Sequence, residues 1–223
     1  MKILCISDQI DPLIYSNAIK ERFADIDMVL SAGDLPLDYL EFIVSSLNKP
    51  VLFVFGNHNL NEYNYYMHGT KTTGGAWERV DDYVPGSGAI HVGSKVRREE
   101  GLIIAGLGGS MQYNRGDNQY TNFQMNCEIL KLIPTLLFNR VFRGRYLDVL
   151  LTHAAPEGIH DKPDPCHRGF KAFLWFMRVF KPKYLVHGHI HLYDLSAVRA
   201  TQYQNTLVLN AYSHYLIDTG DAP

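Results

Sequence analysis

Cysteine is scarce. Three residues in a chain of 223, Cys5, Cys127 and Cys166, are too few, too far apart and the wrong parity for a disulfide framework, which fits a reducing compartment and small apolar filler roles. Long hydrophobic runs are missing too: no stretch approaches the ~20 apolar residues that cross a bilayer. Polar Ser7-Asp8 also cuts the opening run 1–6 before a signal-peptide core could form. The expectation is a cytoplasmic protein with no membrane partner. Charge of one sign is lacking as well, with 21 Lys and Arg against 23 Asp and Glu and a formal net charge of -2. That balance disfavours long nucleic acid and leaves small anionic or mixed substrates open, with Lys95-Val96-Arg97-Arg98 as a local basic patch. Internal repeats, low-complexity tracts and linkers are absent from the sequence, so 46% hydrophobic residues over this length are read as one domain, 1–223.

Short apolar runs at 2–7, 28–32 and 51–55 alternate with amphipathic segments at 16–23 and 36–47, where Pro36 suits a helix start. Repeated strand-then-helix units imply a parallel or mostly parallel sheet covered by helices. Ligands of such sheets sit beyond the carboxyl ends of the strands, which is where Asp8, Asp34, Asn57 and His58 fall. Further strands are expected at 89–92 and 102–107, with polar 93–101 as their hairpin, and a helix at 122–142, kinked or interrupted at Pro134. Next come a strand at 146–151 ending in Thr152-His153, a helix at 169–180, and a strand at 184–186 leading into His187-Gly188-His189-Ile190-His191. Segments 194–198 and 206–209 would close the sheet as antiparallel strands. Between 60 and 88 periodicity fails, and Tyr63, Tyr65, Tyr66, Met67, His68 and Trp77 are interleaved with Gly69, Gly74 and Gly75. This aromatic loop insertion either covers the site or packs its rings down on the domain.

Five strand ends thus carry candidate metal ligands: Asp8, Asp34, Asn57-His58, His153, and His189 with His191. Carboxylate and amide oxygens plus imidazoles suit Mn, Fe or Zn, and the lack of thiolates disfavours a structural zinc site. The set is too large for one ion, and a bridging carboxylate such as Asp34 makes a two-metal site natural. Singly, each residue has a plainer reading as a helix cap, a turn residue or a core histidine. Their joint arrival at successive strand ends outweighs it.

Gly33-Asp34, Gly56-Asn57-His58, Thr152-His153-Ala154-Ala155-Pro156 and Gly188-His189-Ile190-His191 resemble, in order and separation, the motifs of the calcineurin-like metallophosphoesterases. The resemblance spans nearly the whole chain. It implies a four-layer α/β/β/α sandwich with two mixed sheets and a dinuclear centre of divalent ions, Mn or Fe/Zn, between them. Carried over by position, Asp34 bridges the ions, Asn57, His153 and His189 complete one shell, and Asp8 and His191 belong to the other. His187 becomes a packing residue. His58, outside both shells, stabilises the phosphoryl oxygens or protonates the leaving group. The implied reaction is hydrolysis of a phosphomono- or phosphodiester of a small molecule or nucleotide, by in-line attack of metal-bound hydroxide. Arg168, on the loop with Asp161 and His167, is a candidate grip on a phosphate oxygen, and Asn114-Arg115-Gly116 is a weaker one. A homo-oligomer is compatible with this reading.

Two departures matter. The family's first motif has a histidine two residues after its aspartate, and this chain has Ile10 there. One ion loses a nitrogen ligand, and strand alternation argues against Gln9 or Asp11 as a substitute. The His153/His189 ion should therefore bind tightly and the Asp8/His191 ion weakly. Asn59 stands where many relatives have an acidic residue, which leaves Asp38 as a candidate to orient His58. The alternative function is a catalytically weak or inactive ligand sensor or assembly scaffold of the same fold, disabled by Ile10.

Overall fold

The computed structural model describes residues 1–58, 60, 61, 63, 66, 87–194 and 196–221. In chain order the elements are β1 (Lys2–Ser7), α1 (Ile19–Arg22), β2 (Met28–Ser31), α2 (Leu37–Leu47), β3 (Val51–Phe53), β4 (Ile90–His91), β5 (Lys95–Glu99) and β6 (Leu102–Leu107). They continue with β7 (Ser110–Met111), β8 (Gln119–Tyr120), α3 (Asn122–Arg143), β9 (Val149–Thr152), α4 (Lys171–Phe180), β10 (Tyr184–His187), β11 (Ala200–Tyr203), β12 (Thr206–Asn210) and β13 (Ser213–Asp218).

Two mixed sheets carry the fold. One has the order β13-β1-β2-β3-β4 and the other β11-β12-β10-β9-β6-β5. Within each, the central strands are parallel and antiparallel strands lie at the edges. The apolar runs are continuous because both faces of these strands are covered. Strand alternation sorts their side chains: Ile3 and Cys5 of β1, Met28 and Leu30 of β2, and Val149 and Leu151 of β9 point into a core between the sheets. Their neighbours Leu4, Ile6 and Val29 face the opposite way, against Ile19 of α1 and Leu40 and Ile43 of α2. Leu150 and Leu185 likewise meet Ile129 and Leu136 of α3 and Phe173 and Phe176 of α4. Three cores separate four layers, so the chain is an α/β/β/α sandwich.

Local chemistry sets the helix ends. Pro36, extended at φ -63° and ψ 145°, precedes α2, and Thr121 forms a capping box with Gln124 at the start of α3. Pro134 lies inside α3 without ending it. The carbonyl it leaves without an intrahelical partner belongs to Leu130, an exposed residue on the solvent side of the helix.

Several element expectations change. Residues 93–101 are not simply a hairpin: Lys95–Glu99 is itself an edge strand, closed against β6 by a turn with Glu100 and Gly101 at φ 47° and 82°. Its charged residues Lys95, Arg97, Arg98 and Glu99 are the protection an edge strand carries, which is why the pattern reads as polar loop. The segment 89–92 shrinks to β4 and pairs with β3 in the other sheet, so the chain changes sheets after His91. The hairpin partner of 206–210 is 200–203 rather than 194–198, and β12 joins β10 in parallel. Strand β13, polar and half-exposed at the opposite edge, gave no periodic signal. Arg199 stitches the sheets together there, donating to the carbonyls of Asn210, Tyr212 and His214.

Candidate metal centre

The carboxyl ends of β1, β2, β9 and β10, with the segment after β3, converge at one end of the inter-sheet core. Asp8, Asp34 and His189 all have left-handed backbones, at φ 63°, 57° and 65°. For residues with a Cβ this conformation costs on the order of 1–3 kcal/mol each, and here it turns all three side chains back into the site. Glycines make the close approach feasible. A Cβ on Gly56 would lie 2.0 Å from Asp34 Oδ1, and one on Gly188 would lie 2.6 Å from Asp8 Oδ2.

Ligand atoms of Asp34, His153 and His189, all buried, lie within 4.8 Å of one another. The tautomers follow from the partners. His153 Nδ1 faces the carbonyl of Ala32 at 2.8 Å, and a carbonyl can only accept, so Nδ1 carries the proton. Its Nε2 lone pair then points at Asn57 Oδ1, 3.1 Å away, and Asp34 Oδ2, 3.4 Å away. His189 donates from Nε2 to the carbonyl of Cys166 at 2.6 Å, which leaves Nδ1 for the cluster. Four lone-pair donors meeting in a buried space repel one another unless a cation lies among them, and two oxygens with two imidazoles fit a divalent ion. Without an ion, a proton on His153 Nε2 takes the cation's place, as the electrostatics show. Burial pushes the Asp34 carboxyl up, but the charge and hydrogen bond of His153 and the backbone N–H of His58, 2.8 Å from Oδ1, hold it below its ordinary value. Burial pushes His153 down, and the Asp34 carboxylate more than offsets this and raises it. His189 is held down to about 4, by burial and then by the His153 charge.

The other half is looser. Asp8 accepts the backbone N–H of His189 on both carboxylate oxygens, at 3.0 and 2.9 Å, and its Oδ1 lies 3.7 Å from His191 Nε2. The His191 side chain is 40% exposed, with Nδ1 at 3.0 Å from the Tyr193 hydroxyl and its ring beside Tyr212. Ile10 is 42% exposed and offers no donor. Asp11 is turned away, its carboxylate taken by Ser213, His214 and the backbone N–H of Leu13.

His58 is exposed at the rim, and Asp38, exposed on the first turn of α2, makes no hydrogen bond to it. Arg168 is also exposed, on a loop that does return to the centre: the His167 ring lies 5.5 Å from that of His189. His187 is excluded from the ligand cluster. Its Nε2 pairs with His160 Nδ1 at 2.9 Å, and burial, then His160, pushes it down to about 3.

Two residues that sequence reasoning passed over organise the β3 end. Tyr113 accepts from Asn57 Nδ2 at 3.2 Å, which turns Oδ1 toward His153. Asn118 donates to the carbonyls of Phe55 and Gly56 and accepts from the hydroxyls of Tyr63 and Tyr120. Both lie on the β7–β8 excursion, where the Gly108-Gly109 turn was the available signal. Asn59 and most of the aromatic insertion, including Tyr65, Met67, His68 and Trp77, lie outside the described residues. Tyr63 and Tyr66 pack inward against Phe55, not over the site.

A family profile for calcineurin-like phosphoesterases matches residues 1–193. One solved crystal structure aligns over 100% of this chain and 96% of its own, at 13% identity and a TM-score of 0.65. The protein TT1561 of Thermus thermophilus aligns over 95% of this chain and 89% of its own, at 12% identity and a TM-score of 0.60. At these identities the likeness is one of fold. No curated protein sequence matches the chain.

Proposed function

The chain belongs to the calcineurin-like phosphoesterase family, and from that premise we propose that it hydrolyses a phosphomono- or phosphodiester of a small molecule or nucleotide. The observation that carries this reading is the convergence of the Asp34, His153 and His189 ligand atoms within 4.8 Å, beside Asn57 Oδ1, with both ring tautomers fixed by backbone carbonyls. Asp34, Asn57, His153 and His189 would hold one divalent ion, and Asp8 and His191 would hold a second more weakly. Mn or Fe/Zn suits the mixed oxygen and nitrogen donors. Bound ions supply Lewis-acid polarisation of phosphorus and a nucleophilic water near neutral pH.

The chain's own groups do the rest. His58 is tied to Asp34 through its backbone, so its imidazole stands at the rim with freedom to reach a leaving oxygen and donate the proton that an alkoxide needs. Arg168, exposed and without an ion-pair partner among the described residues, offers a guanidinium fork to a non-bridging phosphate oxygen. The reading takes residues 1–223 as one domain, supported by β11 to β13, which lie beyond the matched residues yet complete both sheets. Three unpaired cysteines support a cytoplasmic location, and no helix among the described residues is long and apolar enough to cross a membrane.

Ile10 favours one rival, a sensor or scaffold with little or no turnover. Hydrolysis of aryl phosphate mono- and diesters with added Mn²⁺ separates the two. Turnover by the wild type, falling roughly 10²–10⁴-fold in His58→Ala, is the expected result. No turnover with any divalent ion would remove the enzyme reading, and activity indifferent to His58→Ala would remove the role of that residue.

A further inference from the structure

A second group of metal-ligating side chains lies outside the centre just described, on the loop between β9 and α4. Asp164, Cys166 and His167 each offer one ligand atom, and these atoms lie within 4.8 Å of one another. Both the Cys166 thiol and His167 Nδ1 turn toward one oxygen, Asp164 Oδ1, at 2.8 Å each, and Sγ and Nδ1 lie 3.6 Å apart.

We propose that Asp164, Cys166 and His167 form a separate, exchangeable binding site for a borderline-soft divalent cation of the zinc class. The distances favour it. A tetrahedral ion with bonds of about 2.3 Å to sulfur and 2.0–2.2 Å to nitrogen and oxygen needs its donors roughly 3.4–3.6 Å apart. The sulfur–nitrogen pair already has that spacing. The carboxylate must back off by less than about 1 Å once the protons between the donors are gone; its side chain is 42% exposed, and its Oδ1 also accepts the His167 backbone N–H at 3.1 Å, which keeps it at the site. The loop is braced on both flanks, because Asp161 accepts the backbone N–H groups of Gly158 and Gly169 at 2.9 and 3.0 Å.

The donor set separates this site chemically from the main centre. A thiolate with one nitrogen and one oxygen selects softer ions than the thiol-free set at Asp34. Binding is balanced by loss of one proton: the thiol S–H gives way to a sulfur–metal bond and the proton goes to solvent. His167 binds through the Nδ1 lone pair as its Nε2–H tautomer. Three protein donors leave the fourth position to water, the arrangement of an exchangeable site, not a closed structural one. An ion here also fixes the loop whose Cys166 carbonyl holds His189 Nε2.

The test titrates Cd²⁺ into protein preloaded with Mn²⁺ and follows the ultraviolet thiolate-to-cadmium charge-transfer band, to which a thiol-free centre contributes nothing. The expected result is a band that saturates at one ion per chain, is displaced by Zn²⁺, survives Cys127→Ser and disappears in Cys166→Ser. His167→Gln should weaken the binding about 10-fold or more. No band in the wild type, or a band that persists in Cys166→Ser, would overturn the proposal. Neither outcome touches the phosphoesterase reading, since no turnover is measured.

Discussion

The two halves of the proposed metal centre use the same residue types and hold them differently. In the His153/His189 half, every ring has its outer nitrogen bonded to a backbone carbonyl, and Asn57 is turned by Tyr113. In the Asp8/His191 half, the carboxylate is buried and bonded to a backbone N–H, as Asp34 is, but the imidazole is 40% exposed and Ile10 contributes nothing. The lesson is that a ligand's worth depends on what holds it from behind. A buried, tautomer-fixed imidazole loses little freedom on binding an ion, whereas an exposed ring beside a tyrosine must be ordered first.

The largest expected effect breaks the first half. His153→Ala should cost more than the ~10–100-fold in metal affinity that loss of an outer hydrogen-bond partner causes, while His191→Ala should cost less than ~10-fold for the tighter ion. Calorimetric Mn²⁺ titration of both variants checks this, and equal losses would erase the asymmetry. Tyr113→Phe sharpens the comparison without touching a ligand. It removes the bond that orients Asn57, so affinity in the buried half should drop about 10-fold and the looser half should be unaffected, as read by metal content at limiting Mn²⁺.

The smallest effect concerns the loop beneath the loose half. Burial pushes the Asp11 carboxyl up, but bonds from Ser213, His214 and the Leu13 N–H outweigh this and hold it below its ordinary value. A carboxyl depressed in the folded state stabilises fully above its unfolded pKa of ~3.9 and loses that contribution as pH falls through the lower folded value. Asp11→Asn should therefore cost about 1–3 kcal/mol at neutral pH. Its deficit against the wild type, measured by urea unfolding, should shrink below about pH 4. His214 on β13 faces Asp11 directly, with Arg199 and Tyr39 close enough to feel its charge, so the same titration in His214→Gln should show a smaller pH dependence.

Much of this was legible along the chain. The runs ending at Asp8, Asp34 and His153 are continuous and apolar because both faces of each strand are buried, a signal that survives without knowing the neighbours. The edges were not. Strands β5 and β13 bury one face or less, so Lys95–Glu99 passes for a polar turn and Ser213–Asp218 carries no strand signal. Tyr113 and Asn118 were invisible for a related reason: each acts on residues some 56–63 positions away, through single hydrogen bonds that leave no local pattern.

The sequence by itself determined which residues could hold a cation and at which strand ends they stand, because strand burial and motif order are local properties. Only the tertiary structure decided how well each is held. The carbonyls of Ala32 and Cys166, the hydroxyl of Tyr113 and the diversion of Asp11 to β13 all come from segments distant in the chain. Those contacts, made between segments that the fold brings together, are what separate a fully buried set of ligands from one whose imidazole, His191, reaches solvent.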